Sequence, residues 1–299
     1  MYRNLLQNGI TSLFVVFSLV CCTSTPSEND INDPITIHSI IKEDTATGIY
    51  VVSAEGSNPM EVRKKIAEYK IPESTFEEKR KVFYTILDTL YELKKSSHQS
   101  VYNVVDSLNY LAVHYLEDLL TDKKSISNPL KHKLLKRVSS YDKVISVYYW
   151  EENIGVNIQT NICVFQYIGK DQLPYSVFNL DDDNEEDFNF SRSSIIAFYK
   201  LSSESGQPLY LANFMGSYGR KNNFKGSIVI EIKGNELFFD YDGFGGDTKY
   251  FFLNYTDGEN LTTTFSYKNQ ELKYTFKSLD VIVNKRFIFN GQIFERQID

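Results

Sequence analysis

Few of the side chains that carry chemistry on their own occur in this chain. Its 299 residues include three cysteines, four histidines and one tryptophan. The histidines, His38, His98, His114 and His132, show no spacing such as H-x-x-x-H that would set two imidazoles on one helix face for zinc. His114 and Asp118 are four apart and read as a local helix pair. There is no phosphate-cradling Walker loop and no glycine fingerprint of a dinucleotide fold. Gly216, Ser217, Tyr218 and Gly219 miss the glycine spacing of a nucleophile elbow. No catalytic residue is therefore assigned from a motif.

Positive charge is also short, with 32 Lys and Arg against 39 Asp and Glu, a formal net charge of -7. Sequence-independent nucleic-acid binding needs a basic footprint, so the chain is a poor candidate for it and no nucleic-acid partner is expected. Apolar length is limited too. The stretch from Ile10 to Val20 is about half of the roughly 20 residues that span a bilayer as a helix, and Thr11, Ser12 and Ser18 interrupt it. With Arg3 before it and paired cysteines after it, the stretch has the layout of a signal peptide over residues 1–21, not of a retained transmembrane anchor.

The residues Leu19, Val20, Cys21 and Cys22 resemble the lipobox of bacterial lipoproteins, with Cys22 in the place of the modified cysteine. Cys21 departs from the pattern, since the family usually has Gly, Ala or Ser there. The resemblance implies a diacylglyceryl thioether on Cys22, and two or more acyl chains hold a protein at a membrane where one binds only marginally. It thus implies a cell-envelope location with the membrane as partner through the lipid anchor, on the periplasmic side or at the cell surface. Residues 22–45 read as the lipidated cysteine and a flexible tether, because TSTPSENDINDP (23–34) is polar and rich in turn formers. Removing residues 1–21 deletes only Arg3, which moves the formal charge from -7 to -8. Cys163 is then the lone thiol, and ICVFQYI around it reads as a buried strand.

What is abundant is core-forming material: 42% of residues are hydrophobic and 14% aromatic, which excludes a wholly disordered chain. GIYVVSA (48–54) reads as a short strand. Ser74 and Glu77 then have the spacing of a capping box, and Phe76, Phe83, Ile86, Leu87 and Leu90 share one face of a helix over about 75–95. A second run places Val101, Val104, Val105, Leu108, Leu111, Ala112, Tyr115 and Leu119 at helical steps. Asn128 and Pro129 look like the start of a third helix through Leu130, Leu134, Leu135 and Val138. Residues 46–140 are thus expected to be mainly helical.

From 141 onward the period shortens to that of strands. Candidates are 144–150, 156–168, 194–201, 209–215, 227–232, 236–241, 249–255, 261–267, 272–277 and 285–295. Short strands broken by turn residues, with Lys233-Gly234-Asn235-Glu236 and Asn290-Gly291 suited to hairpins, predict an antiparallel meander over 141–299. The expected class is α+β, a helical segment followed by an antiparallel all-β meander as a sandwich or barrel. SYDKVISVYYWEENIGVNIQTNICVFQY is also similar to a stretch of uncharacterised secreted bacterial proteins, which implies no particular chemistry.

Candidate sites are few. Asp181, Asp182, Asp183, Asn184, Glu185, Glu186 and Asp187 lack the glycine and spaced glutamate of an EF-hand and read as a solvated loop. Asp240, Asp242 and Asp247 surround glycines in DYDGFGGD and could hold calcium, or form a hairpin turn. No other cofactor is expected. Glu151 and Glu152 are adjacent, and strand neighbours point to opposite faces, so they do not make a glycosidase pair. Tyr149 and Trp150 could stack on a carbohydrate if exposed, or pack in the core. The resulting expectation is a non-enzymatic envelope module binding a protein or glycan, with a carboxylate-dependent secreted hydrolase such as a glycosidase as the rival.

Overall fold

The computed structural model describes residues 70–93, 102–152, 160–178, 193–218, 222–246, 248–256, 258–278 and 281–297. The expected signal peptide (1–21), Cys22, the expected tether, the expected strand 48–54 and the acidic run 181–187 lie outside these residues. Among the described residues three helices come first: α1 (Phe76–Leu93), α2 (Tyr102–Thr121) and the single turn α3 (Lys124–Ser127). None of the described helices is long and apolar enough to cross a membrane.

Helix α1 begins one residue later than the expected capping box. Lys79 N–H donates to the Thr75 carbonyl, which makes Thr75 the residue that opens the helix. Glu78 N–H donates to Thr75 Oγ1 at 3.3 Å, and Thr75 N–H donates back to Glu78 Oε2 at 2.8 Å. The box is therefore Thr75 with Glu78. Ser74 and Glu77 fit the same spacing, but Glu77 pairs with Arg80 instead. The predicted apolar face is correct: Phe76, Phe83, Ile86, Leu87 and Leu90 are all buried.

The expected third helix from Asn128 does not form, and residues 128–135 run as an irregular connection. The residue before a proline is driven out of the helical region, and Asn128 sits at φ -126 and ψ 76. Pro129 therefore follows the end of α3 and does not start a new helix. Helix α1 pins the connection, since Lys131 N–H donates to Tyr84 Oη at 2.9 Å and Asp88 holds His132 and Lys133. Leu130 and Leu135 are buried in the helical core nonetheless, which explains their apparent helical period. Strand structure then starts at Lys136, inside the segment expected to be helical.

Among the described residues thirteen strands follow in three antiparallel sheets. Sheet A contains β1 (Lys136–Ser139), β2 (Ile145–Glu151), β3 (Asn161–Ile168) and β4 (Pro174–Phe178) in that order. Sheet B contains β5 (Ser193–Lys200), β6 (Leu209–Ser217), β7 (Asn222–Lys233) and β8 (Glu236–Phe238), with β9 (Tyr250–Thr256) also on β7. Sheet C contains β10 (Asn260–Ser266), β11 (Glu271–Ser278), β12 (Val281–Phe289) and β13 (Phe294–Gln297). The β7–β8 connection is the expected tight hairpin. Lys233 pairs with Glu236, and Gly234 at φ +66 supplies the positive angle that a type II′ turn needs at its first central position. The 285–295 candidate is instead two strands, joined by a turn through Asn290 and Gly291.

The sheets are stacked, and side-chain parity shows how. On sheet A, Tyr148, Trp150, Ile162 and Val164 pack with the helices, whereas Ile145, Val147, Cys163 and Phe165 pack with sheet B. On sheet B, Tyr210, Ala212, Phe214, Ile228 and Ile230 face sheet A, whereas Leu209, Leu211 and Val229 join the core with sheet C. The order of layers is helices, A, B, C. The expectation of two sheets in a sandwich, or of one closed sheet, gives way to three open sheets with two β–β cores. A strand covered on both faces has no polar side, so β2 and β3 read as continuous apolar runs.

Buried polar groups join the layers. Trp150 Nε1 donates to Asn109 Oδ1 at 2.9 Å, and Asn109 Nδ2 donates to the Glu152 carbonyl. Gln166 Nε2 donates to the Leu120 carbonyl at the end of α2. Between B and C, the buried Tyr274 hydroxyl donates to Ser227 Oγ, which donates to Asn213 Oδ1. Unmet buried polar groups are costly, and these pairings fix which residues of adjacent layers meet.

Candidate functional site

Stacking brings the turns of three sheets to one end of the molecule. The β1–β2 turn of sheet A, the β5–β6 connection of sheet B and the β10–β11 turn of sheet C line one open cleft of about 850 Å³. Its lining combines exposed tyrosines, Tyr141 and Tyr267, with Asp142, Lys200, Gln207 and Gln270.

Each turn presents its residues for a local reason. Lys143, beside Asp142, and Gln270 hold positive φ angles of 59 and 50, which residues other than glycine adopt only when their surroundings impose them. For Gln270 the surroundings are clear. Its side-chain Nε2 donates to the Tyr267 carbonyl at 2.9 Å, and its Oε1 accepts the Ser202 N–H at 3.0 Å. Its backbone carbonyl accepts the Phe289 N–H. Gln270 therefore clasps the sheet B connection to the sheet C turn.

Tyr267 is 52% exposed and rests on an aromatic base. Its ring centroid lies 5.7 Å from Tyr199 and 5.4 Å from Phe265, and those two are 4.9 Å apart. Edge and tilted contacts of this kind are favourable, so the ring is held as a platform. Tyr141 is 95% exposed at the tip of its turn.

Asp142 is the electrostatic centre. Its Oδ1 accepts Ser140 Oγ at 2.7 Å and Val144 N–H at 3.3 Å. Its Oδ2 accepts the Tyr210 hydroxyl at 2.9 Å and faces Lys200 Nζ at 3.1 Å. Burial pushes the carboxyl up, but the bonds from Ser140, Lys200, Tyr210 and Val144 outweigh it and leave Asp142 below its ordinary value. Tyr210 is pushed up by burial and by the adjacent Asp142 charge. The arrangement is a fixed ion pair with an aromatic platform beside it. Among the described lining residues, Asp142 is the one carboxylate.

The residues singled out in the sequence do not form this cleft. Trp150 is 1% exposed with its N–H committed to Asn109, and Tyr149 faces sheet B beside Cys163. The proposed stacking role for Tyr149 and Trp150 is therefore withdrawn, because a ring buried between layers cannot meet a sugar. Asp240 and Asp242 are exposed on the excursion between β8 and β9, and Asp247 lies outside the described residues. That excursion is not a hairpin turn. It packs Phe244 against sheet C, and Gly243 accepts the Phe294 N–H at 2.7 Å. Among the described residues no three His, Cys, Asp or Glu side chains gather as a metal site. Asp118 pairs with Lys79 of α1 at 2.7 Å, a contact between helices that the sequence reading did not include.

Sequence reasoning missed Tyr141, Asp142, Lys200, Tyr267 and Gln270. The available signal was that all five sit at or beside the ends of predicted strands, where binding residues concentrate. Their convergence depends on how the sheets stack. Comparison with protein-family models, with curated proteins and with solved structures finds no match to this chain.

Proposed function

We propose that the mature chain is a lipid-anchored cell-envelope protein whose β-rich body binds a glycan in the cleft between the three sheet ends. The observation that carries the glycan half is the lining itself. A held tyrosine platform, a second exposed tyrosine and planar amide or charged hydrogen-bonding groups meet both faces of a sugar, apolar C–H and polar hydroxyl. A concave site suits such a ligand better than a flat protein partner. Binding is favoured over hydrolysis because a glycosidase works with two carboxylates roughly 5 to 10 Å apart, whereas the described residues of this lining offer Asp142 alone and commit it to four donors. The anchor half rests on the resemblance of Leu19 to Cys22 to a lipobox, and calcium through Asp240, Asp242 and Asp247 plays no part in the reading.

Two experiments test the halves separately. On a glycan array the wild-type mature protein should give discrete hits that Tyr267→Ala loses, and an array without hits, alongside a protein partner captured from envelope extract, would contradict the glycan reading. In detergent phase partition, the full chain should enter the detergent phase and Cys22→Ala should not. Equal partition of the two would remove the anchor.

A further inference from the structure

We infer that the cleft selects an uncharged saccharide, because its carboxylate and its ammonium neutralise each other within the site. This rests on the glycan reading above and adds the class of sugar. A carboxylate has about four acceptor positions, and Asp142 already receives Ser140 Oγ, Val144 N–H, Tyr210 Oη and Lys200 Nζ. No acceptor capacity remains for a ligand hydroxyl. Asp142 is thus a positioning residue, and what it positions is Lys200.

Lys200 carries three N–H donors, of which Asp142 takes one. Its side chain is 57% exposed and lines the cleft, so the others are directed to solvent or to a ligand oxygen. Among the described residues of the lining, Lys200 and Asp142 are the formally charged side chains, and they sum to zero. An acidic sugar would therefore meet no net positive field at the site, on a chain whose formal charge is -7. A sugar carboxylate placed on the remaining Lys200 donors would also lie close to the Asp142 carboxylate and be repelled by it. A neutral sugar needs only a donated hydrogen bond from Lys200 and the ring of Tyr267, and gets both without disturbing the pair.

Asp142→Asn is the informative substitution, because the amide removes the negative charge and leaves Lys200 as an uncompensated cation. Calorimetric titration of the mature protein with a neutral oligosaccharide, and with the same oligosaccharide oxidised to its uronic acids, reads the preference at low and high salt. The wild type should bind the neutral ligand roughly ten-fold more tightly, with little salt dependence, since no net charge is engaged. In Asp142→Asn the acidic ligand should gain roughly ten-fold and lose that gain in high salt. If Asp142→Asn fails to fold by circular dichroism, Lys200→Met serves in its place. It leaves the site net negative, and the acidic ligand should weaken by more than the neutral one. Saturable binding with the acidic ligand preferred by the wild type, or a preference unmoved in the variant that folds, overturns the inference and leaves the glycan reading standing. Absence of binding by either ligand overturns both.

Discussion

Asp142 receives more donors than a surface carboxylate usually finds, and this sets how the site should respond to pH. Its folded value lies below its ordinary one, so the stabilisation is fully present above the unfolded value of about 4 and disappears as pH falls through the lower folded value. Saccharide affinity should therefore be flat between about pH 5 and 8 and fall only in strong acid. A midpoint near pH 6 in the binding curve would mean that another group controls the site. Cys163 gives a second test at this scale. Burial pushes its thiol up to about 12, which leaves almost no thiolate at neutral pH. The folded protein should resist iodoacetamide at pH 8 and react fully in denaturant, and rapid labelling of the native state would contradict the burial. The sequence allowed that reading of Cys163, since ICVFQYI has no polar alternation. It left Trp150 open between core and platform, because exposure of a ring at a strand end is decided by the layer that packs on it.

Elements whose period is local were read closely. Helix α1 has the face expected of it, and β2, β6, β10 and β11 fall within a few residues of their predicted ranges. The failures share a cause, which is that a distant contact outweighed a local pattern. Ser74-x-x-Glu77 and Thr75-x-x-Glu78 fit the capping box equally, and the burial of Phe76 in the first turn favours the second. Thr75→Ala should accordingly lower stability by about 1 kcal/mol, and Ser74→Ala should change it by only a few tenths, in urea denaturation. The reverse order would place the cap at Ser74. Likewise Leu130, Leu134 and Leu135 look helical because they bury against helices, yet Pro129 and the contacts from Tyr84 and Asp88 hold them in an irregular path. Strand β4 was missed because its residues are mostly half-buried and lack a strong apolar run. Where a polar pair joins elements, removal should be costly: Trp150→Phe leaves buried Asn109 Oδ1 without that donor, an expected loss of about 1–3 kcal/mol in the same assay.

At the scale of the molecule, four layers share three cores, so no sheet is independent of its neighbours. Sheet B contributes one face to each β–β core, and ending the chain before residue 258 would strip Leu209, Leu211 and Val229 of their cover. Such a truncation should be insoluble or lose cooperative unfolding, whereas a folded remnant would show the outer sheet to be dispensable. The same stacking makes the cleft, for its three walls come from three sheets and are clasped by Gln270 and by the Asp142–Tyr210 bond. No stretch of sequence contains that site, which is why reading along the chain found strands and missed the cleft. Hydrogen–deuterium exchange with and without a saturating oligosaccharide tests the account most directly. Amides of 140–144, 200–207 and 267–270 should slow together when the ligand binds. Protection confined to one turn, or appearing elsewhere while these three stay unchanged, would contradict a binding site built where the sheets converge.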